Sequence, residues 1–181
     1  MTNDPNWKLR DVPSFALESP DVAPGAVLPQ WARSGIAGAG GDDRSPELRW
    51  SGAPAETKSF AVQVFDPDAP TSSGWWHWAV ANLPASTTFL PQNAGDPDAA
   101  LLPAGAVTVA NELRLRRYMG AAPPPGHGPH RYFFTVTALD VESLELDAEA
   151  TPGLLGFLMF DHAIARAQFT AISETPAEAN E

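Results

Sequence analysis

The chain has 181 residues, and this length suits one folded domain, which we place at residues 14–173. We expect a flexible arm at 1–13 and a disordered tail at 174–181, where the sequence is polar and without pattern. The net charge of −11 argues against nucleic-acid binding, because the phosphate backbone requires a basic surface. The absence of cysteine excludes thiolate metal sites. No apolar run approaches the roughly 18 residues of a membrane span, so we expect no stable membrane insertion and a cytoplasmic location.

The sequence predicts short strands joined by turns, since it contains 19 prolines and 14 glycines. Apolar, β-branched and aromatic runs predict five strands, at 15–17, 59–65, 76–82, 106–110 and 131–139. Residues 154–167 are predicted to form a helix with Phe157, Phe160, Ile164 and Ala167 on one face. A closing strand is expected at 168–172. The pattern therefore indicates a β-rich domain with one late helix.

An acidic turn, Asp66-Pro-Asp-Ala-Pro70, follows directly after the most apolar predicted strand. Two carboxylates at i and i+2 in a turn stiffened by proline can point into one space at low entropic cost. The alternative is that both aspartates only cap the backbone amides of their own turn. The motif alone does not separate these two interpretations.

The second motif is Trp75-Trp-His-Trp78, in the next predicted strand. Because side chains alternate along a strand, Trp75, His77 and Ala79 are expected on one face, with Trp76 and Trp78 on the other. A single histidine among tryptophans is more often a hydrogen-bonded core residue than a ligand contact. The nearby acidic turn keeps a binding role open for His77.

A rigid loop, Pro123 to Tyr132, contains four prolines and two glycines, and leads into the last long predicted strand. Alternation places His130 and Tyr132 on one face and Arg131 on the other, where a structural clamp is its expected role. Two histidines, two carboxylates and a tyrosine that converge at one end of these predicted strands would offer donors and acceptors to a small anion.

The same residues could in principle hold a metal or catalyse hydrolysis. The spacing of His77 and His130 is not the tight pattern of dedicated metal sites, so no metal and no cofactor is predicted. A His/Asp hydrolase of a small ester is the alternative function, although it would need a nucleophile or a positioned water. Ser72 and Ser73 lie in a turn without a nucleophile motif.

Taken together, the motifs resemble the phosphatidylethanolamine-binding protein family, which includes the Raf kinase inhibitor proteins, and in particular its bacterial branch. The similarity runs from about residue 15 to residue 170 in the same order. Its pieces are Ser45-Pro-Glu-Leu-Arg-Trp50, Phe60 to Pro70, Trp75-Trp-His-Trp78 and Pro123 to Tyr132.

The resemblance implies a fold that is mainly β, with a large central antiparallel-dominated sheet, a smaller packed sheet and few short helices. It implies a pocket for phosphate, acetate or a phosphoethanolamine-like group at one end of the central sheet. The residues that it assigns to ligand binding are Asp66, Asp68, Trp75, His77, Ala122, His130 and Tyr132. It also implies a non-enzymatic role, with a homodimer and a protein kinase or protease as expected partners.

Three departures from the family pattern bear on the site. Ala121-Ala122 replaces a turn that often contains glycine or cysteine, whereas Pro70 keeps the family pattern and is by resemblance a candidate cis proline. Arg114 stands where a glycine is usual, so a conformation with φ below zero is expected there. The ending Phe169 to Ser173 lacks the usual Gly-Thr-Tyr strand.

Overall fold

The computed structural model describes residues 5–6 and 8–177. Residues 1–4 and 7 of the arm predicted at 1–13, and residues 178–181 of the tail predicted at 174–181, lie outside the described residues. The strands and the helix are, in chain order, β1 (Ala16–Glu18), β2 (Leu48–Ser51), β3 (Ser59–Asp66), β4 (Trp75–Pro84), β5 (Phe89–Leu90), β6 (Val107–Thr108), β7 (His130–Leu139), α1 (Pro152–Met159) and β8 (Ala163–Ser173). Two 3₁₀ turns lie at Gln30–Ala32 and Pro97–Ala99.

The central feature is a five-stranded antiparallel sheet with the order β6-β4-β3-β7-β8. The apolar strand β3 is almost entirely buried and lies in the middle, between β4 and β7. A three-stranded antiparallel sheet, β1-β2-β5, packs on one face, where the rings of Trp50 and Phe60 meet at 5.5 Å between centroids. The five predicted strands are present with ends shifted by at most two residues. The predicted mainly-β fold with a large and a smaller sheet is confirmed.

The opposite face of the central sheet is partly covered by α1. Thr151 caps this helix by accepting a hydrogen bond from the amide of Leu154, and Pro152 occupies the first turn, where its missing N–H costs nothing. Leu155 and Met159 are buried in the cluster that α1 forms with the sheet. In the part of the chain that is described, no helix is long and apolar enough to cross a membrane.

The helix predicted at 154–167 is wrong beyond Met159, because residues 163–173 form a strand. Buried residues recur at every second position from Ala163 to Ser173, which is the period of a strand. Four of the first five of these buried positions are alanines, so the alternation carries little hydrophobic contrast and helix propensity dominates the local pattern. Residues 163–173 form a strand instead because they pair with β7 along its whole length.

Both ends of the described chain contact the central sheet or its loops. At the start, Arg10 Nη2 donates to the carbonyl of Ala163 at 2.8 Å, and the amide of Arg166 donates to the carbonyl of Pro13 at 2.9 Å. At the end, the amide of Gly126 donates to the carbonyl of Thr175 at 2.9 Å. These bonds fix the N-terminal segment along β8 and the C-terminal segment beside the Pro/Gly loop that precedes β7.

Candidate functional site

The strand β4 contains a β-bulge at His77. Val64 on β3 pairs with Trp78, and Phe65 pairs with Trp76, so His77 has no partner on β3. Trp76 therefore packs on Phe65 at 4.4 Å between ring centroids, whereas Trp78 lies in the core on the other face of the sheet. The prediction that Trp76 and Trp78 share a face is wrong, because the extra residue shifts the alternation by one.

His77 is buried at 4% exposure and is fixed by the loop that contains Met119. Its Nδ1 lies 2.7 Å from the carbonyl oxygen of Met119, whose amide in turn donates to the carbonyl of His77. Since a carbonyl can only accept, Nδ1 has the proton and Nε2 has the lone pair of the neutral ring. Burial lowers the pKa of His77, outweighing the opposite effects of the Met119 carbonyl and of Asp66. The ring is therefore neutral near pH 7.

The loop that holds His77 is itself fixed by hydrogen bonds to the side chain of Asp43. This buried carboxylate accepts hydrogen bonds from the Ser34 hydroxyl and from the amides of Gly35, Ile36 and Gly120, all at 2.8 Å. The glycine-rich turn after Ser34 thus directs its amides at an internal carboxylate. The Met119–Ala122 segment gains a rigid support as a result.

Asp66 and His130 form a buried pair where β3 ends and β7 begins. His130 Nδ1 lies 2.7 Å from Asp66 Oδ2, and both side chains are at most 3% exposed. The other oxygen of Asp66 accepts from the amides of Asp68 and Ala69 at 2.8 and 3.0 Å. Asp66 therefore caps its own turn and also orients the ring of His130, so capping is not its only role.

His127 extends this pair toward solvent and was missed by sequence reasoning. Its Nδ1 lies 2.7 Å from His130 Nε2, and its own side chain is exposed. A contact between two ring nitrogens requires one proton between them, so His127 and His130 cannot both present an N–H there. The available signal was a second histidine three residues before His130 in the same rigid loop.

Asp68 and Arg131 lie on the outer side of the turn. The Nε and Nη2 atoms of Arg131 donate to the two oxygens of Asp68 at 2.8 and 2.7 Å, and the Arg131 amide donates at 2.9 Å. The Arg131 hydrogen bonds hold the pKa of Asp68 below its ordinary value. The structural role predicted for Arg131 matches this geometry, but Asp68 lines an outer cleft and not the pocket that contains His77.

A cavity of about 250 Å³ lies between the bulge, the acidic turn and the Met119–Ala122 loop. The sequence-predicted residues that line it are Asp66, Pro70, Trp75, His77, Ala122, His130 and Tyr132. Sequence reasoning missed Met119, together with Ala37, Ala69, Thr71 and Pro124, which complete the wall. None of the described lining residues is a lysine or an arginine.

Two donors in the wall of this cavity have no acceptor among the described residues. One is the indole Nε1 of Trp75, and the other is the O–H of Tyr132, a residue only 1% exposed whose oxygen accepts from the backbone of Ala122. Burial, followed by the charge of Asp66, raises the pKa of Tyr132 above its ordinary value, so the hydroxyl keeps its proton. A buried donor without an acceptor is costly, and a water, an ion or a ligand in the cavity would satisfy it.

Two expectations about the backbone are wrong. The described residues contain no cis peptide bond, so Pro70 is trans. Arg114 adopts φ of 62° although it lacks the freedom of glycine. Its turn is closed by Asn111, which accepts from the amides of Leu113 and Leu115, and Arg114 pairs with Glu149. These contacts hold the strained conformation.

No group of three or more histidine, aspartate or glutamate side chains in residues 5–6 and 8–177 is arranged to hold a metal ion. The His77 ring is directed to a carbonyl, and the nitrogens of His130 are directed to Asp66 and His127. The arrangement is suited to hydrogen bonding with a small group in the cavity.

Comparison with known proteins places this fold and site in one family. A family profile described as phosphatidylethanolamine-binding protein matches residues 18–174. The protein YbhB of Escherichia coli strain K12 is 46% identical over 156 residues, which cover 86% of this chain and 98% of YbhB. The crystal structure of E. coli YbcL, described as a new member of the mammalian PEBP family, superposes with a TM-score of 0.85 at 43% identity. That match covers 89% of this chain and 98% of the YbcL chain.

A second solved structure supports the same assignment. The homologue CT736 from Chlamydia trachomatis has a TM-score of 0.74 at 30% identity, and the match covers 90% of this chain and 98% of CT736. The profile match runs from the last residue of β1 through β8 and so contains every residue of the cavity described above. The chain therefore belongs to the phosphatidylethanolamine-binding protein family.

Proposed function

We propose that the chain binds a small anionic group, such as a phosphate monoester or a phospholipid head group, in the cavity beside His77. The buried Tyr132 hydroxyl supports this most directly, because its proton has no acceptor in the described part of the protein. The indole N–H of Trp75 is a second such donor. The cavity, at about 250 Å³, is slightly below the roughly 300–1,000 Å³ of typical ligand pockets. Its size therefore suits a head group better than a whole lipid.

Binding of an anion here is expected to be coupled to a proton. The described lining has no lysine or arginine, and Asp66 is negative when ionised. The neutral ring of His77 would present a lone pair to the ligand through Nε2, which repels an anionic oxygen. The ligand must therefore bring a proton, as a phosphate monoanion does, or His77 must become protonated on binding. Affinity then increases as pH falls.

The experiment that tests this proposal is an NMR titration of ¹⁵N-labelled protein with inorganic phosphate and with sulfate. Saturable shifts are expected at the Trp75 indole and the Ala122 amide, with the sulfate affinity rising as pH falls from about 8 to 5. The variant His77→Ala should weaken binding at least about tenfold. Its matched control is His162→Ala, since His162 pairs with Asp140 away from the cavity.

Two results would contradict the proposal. One is the absence of saturable shifts at Trp75 and Ala122 with millimolar phosphate. The other is an equal loss of binding in His77→Ala and His162→Ala, which would separate binding from the cavity. If the sulfate affinity did not depend on pH, the binding site would stand, but protonation of His77 would have no part in binding.

The alternative function, a His/Asp hydrolase of a small ester, has less support. The Asp66–His130 pair resembles an oriented general base, but His130 Nε2 is occupied by His127. The hydroxyl of Thr71, which lines the cavity, is committed to the carbonyl of Gly74 at 2.6 Å. An ester or phosphomonoester assay that detected turnover dependent on His130 would favour this alternative. Kinase or protease regulation, a homodimer and a cytoplasmic location remain predictions.

A further inference from the structure

His127 lies outside the cavity beside His77 and contacts that cavity through the ring of His130. It lines an outer cleft, whereas His130 lines both the cleft and the cavity, so the His130 ring stands between them. His130 is 1% exposed, and His127 is exposed. One nitrogen of His130 contacts the buried Asp66, and the other contacts His127. His127 is therefore the neighbour of this buried ring that faces solvent.

The loop before β7 holds His127 in place beside His130. Gly126 and Gly128, on either side of it, have φ of 72° and 87°, which glycine adopts without strain. The Gly126 amide donates to the carbonyl of Thr175 at 2.9 Å, and the His127 amide donates to the carbonyl of Pro124 at 3.2 Å. The two imidazole rings meet edge to face at 4.9 Å between centroids. The backbone on both sides therefore fixes the contact between the rings.

The carboxylate of Asp66 determines where the protons of this chain of contacts lie. A carboxylate oxygen can only accept, so Nδ1 of His130, at 2.7 Å from Asp66 Oδ2, holds a proton. In the neutral ring, Nε2 of His130 then has the lone pair and accepts from Nδ1–H of His127 at 2.7 Å. Nε2 of His127 is left with a lone pair and has no hydrogen-bond partner among the described residues. A chain that ends at a buried carboxylate thus begins at an exposed basic nitrogen.

We propose that His127 is the residue through which His130 takes up a proton from solvent. The lone pair on Nε2 of His127 binds the incoming proton. The Nδ1–H bond of His127 breaks and leaves its electron pair on that nitrogen, while the proton binds Nε2 of His130. One proton enters, His127 ends as the neutral Nε2–H tautomer, and His130 becomes an imidazolium that donates to Asp66 and to His127. A positive charge is thereby placed in the wall of the cavity beside His77.

Titratable and charged groups face the two rings from the cavity, from the outer cleft and from β8. Those on the cavity side are Asp66, His77 and Tyr132, those in the cleft are Asp68 and Arg131, and Glu174 follows the Ser173 that pairs with His130. Asp68 and Arg131 bind each other. Burial keeps Tyr132 protonated, because it raises the pKa of that hydroxyl, and His77 is neutral near pH 7. Asp66 is therefore the group whose charge directly balances an imidazolium at His130.

The proton route stands apart from the proposed function, but its consequence for binding rests on that function. The described lining of the cavity has no lysine or arginine, so an imidazolium at His130 would give the wall a cation. A fully charged anion such as sulfate is then bound together with this proton, in addition to any proton on His77. The sulfate affinity should therefore depend on His127, although His127 does not line the cavity.

The first measurement needs no ligand and follows the ring ¹⁵N signals of the four histidines of the full chain between about pH 8 and 5. The signals of His127 and His130 should change together over one pH range, because the two rings share the proton. His127→Phe keeps a ring beside His130 but removes both nitrogens, so the His130 signals should no longer change over this range. The matched control is His162→Phe, since His162 pairs with Asp140 in a separate histidine–aspartate contact.

The second measurement is the sulfate affinity by isothermal titration across the same pH range. One coupled proton changes the affinity by up to about tenfold per pH unit. The dependence should be less steep in His127→Phe and should be that of the native protein in His162→Phe. The proposal is overturned if His127 titrates alone while His130 stays neutral, or if His127→Phe keeps the native pH dependence. If phosphate produced no shifts at Trp75 and Ala122 while the two rings still titrated together, the proton route would be supported and only the proposed function would be refuted.

Discussion

The chain has two tyrosines, and they form a matched pair for testing the anion site. Tyr118 and Tyr132 are both 1% exposed, and burial raises the pKa of both, so each hydroxyl is a buried neutral donor. Tyr118 donates to the carbonyl of Ala32 at 3.0 Å. The O–H of Tyr132 has no acceptor among the described residues, and its oxygen only accepts from the backbone of Ala122. Replacing each with phenylalanine removes one oxygen and leaves the ring in place.

The two substitutions should have opposite consequences. Tyr118→Phe removes a neutral hydrogen bond and should lower the free energy of unfolding by about 1 kcal/mol. Tyr132→Phe removes a donor that has no protein acceptor together with one acceptor of the Ala122 amide, so the free energy of unfolding should change by less than about 1 kcal/mol. If the Tyr132 hydroxyl donates to a bound anion, its loss should cost about 1.5–3 kcal/mol of binding, or roughly 10- to 100-fold in affinity. Tyr118→Phe should leave the phosphate affinity unchanged.

Urea unfolding and isothermal titration with phosphate measure both quantities on the same samples. The expected result is a loss of stability only in Tyr118→Phe and a loss of affinity only in Tyr132→Phe. If Tyr132→Phe is destabilised like Tyr118→Phe and binds phosphate normally, then Tyr132 is an ordinary core residue. The reasoning that assigns it to a ligand would then be refuted.

Three further predictions concern stability. Burial lowers the pKa of His77, so the unfolded chain binds a proton that the folded chain does not. Stability should therefore be complete above about pH 6.5 and fall below it, with a slope of up to about 1.4 kcal/mol per pH unit. The free energy of unfolding, measured with urea across this pH range, should depend less steeply on pH in His77→Phe. Arg131 lowers the pKa of Asp68, so Asp68→Asn should cost at most about 1 kcal/mol at neutral pH, since both side chains are partly exposed. This contribution is present above about pH 4 and disappears as pH falls further, which acid titration of both proteins would check. Gly74 has φ of 71°, and a Cβ there would lie 2.8 Å from the Asp66 carbonyl oxygen, so Gly74→Ala should cost about 2 kcal/mol or more. Gly52→Ala, at φ of 77° with no atom within 4 Å, should cost only the backbone strain of about 1 kcal/mol, and equal melting temperatures of the two variants would contradict the clash.

The sequence predicts most of the sheet because β3 and β7 are long apolar runs with strong strand propensity. It predicts only the second half of β8, at 168–172, because alternating alanines hide the strand period from Ala163 to Ala167 and only the pairing with β7 determines the structure there. It also predicts the site residues that are distinctive by type, such as His77 and Tyr132, which do line one cavity.

Other parts of the site depend on geometry that a sequence pattern does not contain. Asp68 and Asp66 are two residues apart in one turn, yet only Asp66 lines the cavity, because Arg131 binds Asp68 from outside. The carbonyl of Met119 sets the tautomer of His77 from 42 residues away in the chain. Long-range contacts of this kind require the folded structure.

The bulge at His77 determines which face of the sheet each side chain of β4 occupies. With strict alternation, Trp76 and Trp78 would lie on the same face, and the core position beside Tyr118 would lose the ring that packs on it at 6.3 Å. The extra residue leaves Trp78 in the core and Ala79 on the opposite face, where Trp76 packs against Phe65. It also leaves the backbone of His77 free to pair with Met119, which fixes the His77 ring in the cavity wall. Bulges are common beside functional sites because they redirect a side chain without ending the strand. Here one inserted residue determines which side chains of Trp75-Trp-His-Trp78 line the cavity beside His77, which one packs on Phe65 and which one lies in the core.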